Sequence, residues 1–203
     1  MIKAVIFDVD GVLIDNSSLI VKVYQEDARI AGLTVPDEKT IMATFGLPWQ
    51  EMVEILLGKD ERYKQIHIDT WPQYADQMVL APGVIDVLKE LKQAKGIVTS
   101  KPRESLNKHL KELLLYFKSI ITVEDTIRHK PDPEPLLKAL EQLMIEPKEA
   151  IYIGDHFRDF EMAKNAGTDF IGMLSGAMSK HDFKIIGAFR TIYSLTELLD
   201  IIK

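Results

Sequence analysis

Apolar and polar positions along this chain follow two regimes. Residues 3–8 form a continuous apolar run, Ala4-Val5-Ile6-Phe7, that ends in Asp8. Such a run is expected of a parallel strand buried on both faces. From Asn16 to about Leu80 the spacing becomes helical. Ile20, Val23, Tyr24 and Asp27 share one face before Gly32 breaks the pattern, and Pro36-Asp37 opens a second helix. Gly46-Leu47-Pro48 precedes a third helix with Met52, Val53, Leu56 and Leu57 on one side. A fourth is predicted over 61–77, with Pro72 expected to kink or split it.

After Ala81-Pro82-Gly83, helices and strands alternate. The pattern predicts helix 84–94, strand 96–99, helix 103–115, strand 119–123, helix 133–143 and strand 150–153. Helix 157–166, strand 169–173, a last strand near 188–192 and a helix over 195–202 complete the chain. Strands separated by helices of this length mean βαβ units. The fold class is therefore α/β, with a Rossmann-like parallel sheet core and an inserted α-helical cap. The expected division is a core of 1–15 and 81–203 and a cap of 16–80. Ligands of open parallel sheets sit beyond the carboxyl ends of the strands. Asp8, Asp10, Thr99 and Asp155 all fall there, and Lys130 lies in a loop that can reach the same rim.

Composition narrows the functional classes. An apolar fraction of 46% with 28% charged residues is ordinary for a soluble globular chain. A net charge of −6 argues against nucleic-acid and anionic-membrane partners. No stretch approaches the roughly 20 apolar residues a bilayer crossing needs. Met1-Ile2-Lys3 runs straight into the first strand and acids at 8 and 10 interrupt any signal-like apolar region, so the cytoplasm is the expected location. The chain has no cysteine, which removes disulfides, thiol nucleophiles and Cys-based zinc sites. Oligomeric state is not legible.

The candidate chemistry lies in four separated segments. Asp8 and Asp10 follow a buried strand and precede Gly11, which frees the backbone to turn. Asp155 and Asp159 are spaced i, i+4 across a strand-to-helix turn, so both can face one point. Each has a plain structural reading, as solvated surface or as acids complementing a helix N-terminus. If the three acids 8, 155 and 159 share a rim, each pair at ~4 Å repels by about 4 kcal/mol at an effective dielectric near 20. Such a cluster requires a cation, and an all-oxygen set with open positions suits Mg²⁺. Lys130 is held between His129 and Pro131, with Pro133 stiffening the approach to the next helix. A fixed ammonium there would offset repulsion between a carboxylate nucleophile and a phosphate. Thr99 and Ser100 can offer hydroxyl and backbone N–H groups to phosphate oxygens, and both residue types also cap helices.

The set Asp8-Val9-Asp10-Gly11-Val12-Leu13-Ile14-Asp15, Val98-Thr99-Ser100-Lys101-Pro102, Lys130-Pro131-Asp132-Pro133 and Gly154-Asp155 with Asp159 resembles the haloacid dehalogenase-like hydrolase superfamily. Its closest likeness is to the phosphoglycolate phosphatase and β-phosphoglucomutase branch. The resemblance implies that Asp8 attacks phosphorus and becomes an aspartyl-phosphate, and that Asp10 serves as general acid and base. It implies Mg²⁺ held by Asp8, the Asp10 carbonyl and Asp155, with Asp159 supporting the metal site. Thr99, Ser100 and Lys130 would hold the phosphoryl oxygens. Asp at position 10 disfavours dehalogenase and phosphonatase relatives. Asn16 and His156 depart from the branch's usual hydroxyl residues. Neither is expected to touch the catalytic set, and His156 is expected to face solvent.

Residues 16–80 carry six Lys/Arg against ten Asp/Glu, which favours a small phosphorylated metabolite over a polyanion. Phe45-Gly46-Leu47-Pro48-Trp49 is the cap loop expected to face substrate, whereas Trp71, Tyr24, Tyr63 and Tyr74 are expected to pack. The leading function is an Mg²⁺-dependent phosphatase. A β-phosphoglucomutase-like mutase uses the same core residues, and a non-catalytic phospho-ligand binder is the alternative of another class.

Overall fold

The computed structural model describes residues 1–174 and 176–202. β1 (Ala4–Phe7) leads through a turn to β2 (Ile14–Asp15), followed by α1 (Ser17–Ile30), α2 (Glu38–Met42), α3 (Trp49–Leu56) and α4 (Glu61–Ala75). The chain returns along β3 (Val79–Leu80), which pairs antiparallel with β2. The remainder alternates as α5 (Val84–Glu90), β4 (Ala94–Val98), α6 (Arg103–His109), α7 (Lys111–Leu114), β5 (Ser119–Ile121), α8 (Glu134–Leu143) and β6 (Ala150–Gly154). It continues through α9 (Phe157–Ala166), β7 (Asp169–Met173), α10 (Lys180–Ile185), β8 (Thr191–Ile192) and α11 (Leu198–Ile201).

The main sheet has the order β5-β4-β1-β6-β7-β8, and every neighbouring pair is parallel. β1 is central and fully buried, and its alternation divides the core. Val5 and Phe7 point into the layer made by α5, α6, α7 and α11. Ala4 and Ile6 point into the opposite layer, with Leu136, Leu140, Met162 and Phe183. β4 and β6 lie on either side of β1, so the chain leaves β1 in opposite directions along the sheet. This is the reversal of strand order at which α/β folds place ligands, and it confirms the expected α/β, Rossmann-like architecture.

Helices α1–α4 pack around a separate cluster of Val21, Tyr24, Ala28, Ile41, Met52, Val53 and Leu57. α1 and α4 also share a polar contact, because His67 Nδ1 lies 2.7 Å from Asp27 Oδ2 and both residues are buried.

Several element boundaries differ from the pattern's expectation. α5 stops at Glu90, not 94, because Leu91 turns extended and Ala94 is already paired with Ala4. The helix expected over 103–115 is broken at Leu110, whose φ of −128° is not helical. α4 runs through Pro72 to Ala75 without splitting; the proline lies on the exposed side of the helix. The last strand is only Thr191–Ile192. The short β2–β3 ladder and α10 were not expected. Among the described residues no helix is long and apolar enough to cross a membrane.

Candidate active site

The carboxyl end of β1 delivers Asp8, whose backbone N–H extends the ladder by donating to Ile153 O at 2.9 Å. Asp8 Oδ1 accepts from Val9 N at 2.7 Å, which fixes the side chain over the rim. β6 ends in Gly154 and delivers Asp155 beside it. α9 then starts with a reciprocal cap in which the His156 side chain accepts from the first turn and Asp159 Oδ2 accepts from His156 N at 3.1 Å. The ligand-capable oxygens of Asp8, Asp155 and Asp159 all lie within 4.8 Å of one another, and all three residues are buried.

Gly11 and Gly154, together with Gly176, where a Cβ would stand 2.1 Å from Asp155 Oδ2, make this approach possible. Gly11 has φ +75°, and a Cβ there would stand 2.3 Å from Asp155 Oδ2. A Cβ on Gly154 would stand 2.4 Å from Asp159 Cβ. Any side chain at these positions would push a carboxylate out of the cluster.

Lys130 reaches the same point from the loop between β5 and α8. Glu134 braces that loop by accepting from Ile127 N at 3.0 Å and Arg128 N at 3.2 Å. Asp132 adds a further brace by accepting from Glu134 N at 2.9 Å. Lys130 Nζ lies 3.0 Å from Asp8 Oδ1 and 2.7 Å from Asp159 Oδ1, and 5.4 Å from the centre of the Tyr152 ring. Tyr152 OH shares its one proton between Val98 O at 2.9 Å and Asp159 Oδ1 at 3.2 Å, and with Lys130 and the His156 N–H this makes Asp159 the most heavily bonded of the three acids.

The electrostatics follow from burial. Desolvation pushes the Asp8 carboxyl up to about 7, with Lys130 opposing and Asp159 and Asp10 adding to the rise. Desolvation also raises Asp155 well above the usual carboxylate range, with Asp159 and Asp8 contributing. For Lys130, burial disfavours the charge, but Asp159 and Asp8 outweigh it and hold the ammonium protonated above its ordinary range. Three buried carboxylates face one internal cation, so full ionisation would leave an excess of two negative charges. An all-oxygen donor set with that excess fits a divalent cation of the Mg²⁺ type.

Asp10 is half-buried and is held by two partners. It accepts from Lys101 Nζ at 2.8 Å and from Asn16 Nδ2 at 2.6 Å. Lys101, buried after a Thr-Ser pair, had not been singled out, and Asn16, expected not to touch the candidate acids, bonds Asp10. His156 is likewise corrected. It is buried, not solvent-facing, and its backbone N–H bonds Asp159. Burial lowers the His156 imidazole to about 4. Thr99 Oγ1 accepts from Lys101 N at 3.1 Å, and Ser100 Oγ donates to Gly46 O at 2.6 Å. The Ser100 hydroxyl therefore ties the rim to the loop at Gly46.

Asp8, Asp10, Thr99, Ser100 and Asp155 form the floor of a cleft of about 350 Å³ whose other wall is Phe45, Leu47, Trp49, Trp71 and their neighbours from the helical segment. The expected cap loop does face the cleft. Trp71 and Tyr24, expected to pack, also line it.

Comparisons with known proteins agree with this arrangement. The family model for haloacid dehalogenase-like hydrolases matches residues 5–173. A pyrophosphatase PpaX of Bacillus velezensis is 30% identical over 210 aligned positions, covering 99% of this chain and 95% of its own length. An N-acetylmuramic acid 6-phosphate phosphatase of Pseudomonas aeruginosa is 29% identical, covering 89% of this chain and 85% of its own. A crystal structure of a candidate haloacid dehalogenase-like hydrolase from Bacteroides fragilis superposes with a TM-score of 0.88 at 31% identity, covering 98% of this chain and 100% of that one.

Proposed function

The chain belongs to the haloacid dehalogenase-like hydrolase family, and from that premise we propose that it hydrolyses a small phosphorylated metabolite through an aspartyl-phosphate on Asp8, with Mg²⁺ as cofactor. The observation that carries this reading is the buried meeting of Asp8, Asp155 and Asp159 within 4.8 Å, with Lys130 Nζ bridging Asp8 and Asp159. Residues 16–80 are read as a cap that closes the cleft over the rim.

In this reading an Asp8 oxygen attacks phosphorus and the bond to the leaving oxygen breaks. Asp10 gives that oxygen its proton and so releases a neutral alcohol. Asp10 then takes a proton from water as the water oxygen attacks the phosphoryl group. The Asp8–phosphorus bond breaks, and inorganic phosphate leaves with Asp8 restored. Thr99, the Ser100 backbone and Lys130 hold the phosphoryl oxygens, so most of the rate gain is positioning and charge stabilisation. Asp8, Asp155 and the Asp10 carbonyl would hold Mg²⁺, with Asp159 supporting it. Bound there, the ion would neutralise charge on the phosphate and between the carboxylates.

The test is phosphate release across a panel of phosphomonoesters, with Mg²⁺ and with EDTA, and with and without a sugar bisphosphate primer. Magnesium-dependent release from at least one ester without the primer is expected. Activity unaffected by EDTA, or no release from any ester, would contradict the proposal.

A further inference from the structure

The helical wall of the cleft has an unusual chemistry for a site that receives phosphate. Its exposed surface comes from Ile20, Leu47, Trp49, Ile68 and Trp71, with Tyr24 behind. Ile68 is 49% exposed, a large apolar side chain open to the cleft and not packed away. Among the described residues this wall contributes no lysine or arginine to the cleft.

The centre of the wall is a stack of rings. His67 lies 4.8 Å from Tyr24 at 18°, 5.2 Å from Trp49 at 19° and 6.1 Å from Trp71 at 25°. Buried Asp27 holds its Nδ1 at 2.7 Å, which fixes the plane of the ring. Flat faces fixed in parallel present a surface for another flat group. The nearest cation, Lys101, lies 5.1 Å from the centre of the Trp71 ring, but its charge is engaged by Asp10 at 2.8 Å. The opposite rim offers Glu104, Lys108 and His109, a mixed set from the core side.

Building on the phosphatase reading, we propose that the leaving group is uncharged and flat: the substrate is the phosphomonoester of an alcohol bearing an aromatic or heteroaromatic ring, which lies against Trp49 and Trp71, the two indoles that buried His67 holds in place. A second phosphate or a carboxylate in the same place would lose its hydration against apolar side chains, with Lys101 beside Trp71 already paired with Asp10 and Lys108 on the far rim. By this chemistry pyrophosphate and carboxylate-bearing phosphates are poor substrates.

The test compares benzyl phosphate with ethyl phosphate, phosphoglycolate and pyrophosphate. Benzyl and ethyl phosphate both release alkyl alcohols, so leaving-group reactivity does not dominate the comparison. We expect kcat/KM for benzyl phosphate to exceed that for ethyl phosphate by at least about tenfold, the scale a filled apolar pocket supplies. Trp71→Ala should collapse that ratio, and Trp71→Phe should keep most of it. The chain's two tryptophans both line the cleft, so their fluorescence gives a second readout. Benzylphosphonate should shift it at concentrations where ethylphosphonate does not. Phosphate release without a benzyl preference, or faster release from phosphoglycolate or pyrophosphate, overturns the proposal. A fluorescence response to benzylphosphonate with no ester hydrolysed would overturn the phosphatase reading while supporting the aromatic subsite. Failure of both readouts overturns both.

Discussion

Lys130 Nζ stands 3.0 Å from Asp8 and 2.7 Å from Asp159, so one buried ammonium is shared by the carboxylate at the rim and the carboxylate inside the first turn of α9. It is the internal counter-ion of a cluster that otherwise consists of acids. Asp159, bonded also by Tyr152 and His156, anchors the lysine where it can serve Asp8.

Lys130→Met removes that counter-ion while keeping a similar side-chain length. Breaking a buried pair by deleting one partner costs about 3–5 kcal/mol, and the loss should be largest without metal. Thermal melts in EDTA should show a lower Tm for the variant, and Mg²⁺ should restore more of it than in the parent. Equal melting in EDTA would mean the acids are neutralised by other means.

The metal-free protein should lose stability as pH rises above about 6.5. The folded Asp8 carboxyl is pushed up to about 7 and Asp155 is raised well above its ordinary range. Folding therefore binds protons, and that contribution is lost as pH climbs through the folded values. His156, lowered to about 4, opposes this trend only below its unfolded value near 6.5. Melts in EDTA from pH 6.5 to 8.5 should show a falling Tm. Added Mg²⁺, which needs the ionised carboxylates, should raise Tm more at pH 8.5 than at pH 6.5. A flat profile with a pH-independent magnesium effect would contradict this.

Lys101→Met should lower kcat by about 10–100-fold, a part of what general acid–base catalysis contributes, because Asp10 loses the partner 2.8 Å away that orients it. Lys101→Arg should recover part of the loss, and the acid limb of the kcat–pH profile should shift in the Met variant. An unchanged profile would limit Lys101 to packing beneath Trp71.

Much of the site was legible because its chemistry lies at strand ends. Asp8, Thr99 and Asp155 each follow an apolar run, and a parallel sheet puts those ends on one rim. What was misread depended on contacts between distant segments. Lys101 meets Asp10 across 91 positions, and nothing local distinguishes it from an exposed lysine leading a helix. Asn16 stands where a hydroxyl residue is usual and was expected to stay clear of the candidate acids, yet its amide reaches Asp10 six positions earlier. A trace of the aromatic wall was present, since Asp27 sits on the apolar face of its helix and a buried acid needs a partner. That partner, His67, lies 40 positions away. α10 had a local signal as well, the Ser179 and Asp182 capping pair, which periodicity alone does not weigh. Helix lengths were overestimated where strand pairing sets the boundary, as at Ala94.

In the proposed mechanism Asp8 is the nucleophile of a magnesium-dependent phosphatase. Its most direct test is steady-state phosphate release by Asp8→Asn at saturating Mg²⁺, with circular dichroism confirming the fold. The amide keeps the size of the side chain and its place above β1 but cannot attack phosphorus. Release at background with a native spectrum is expected, and turnover near that of the parent would exclude Asp8 as the nucleophile.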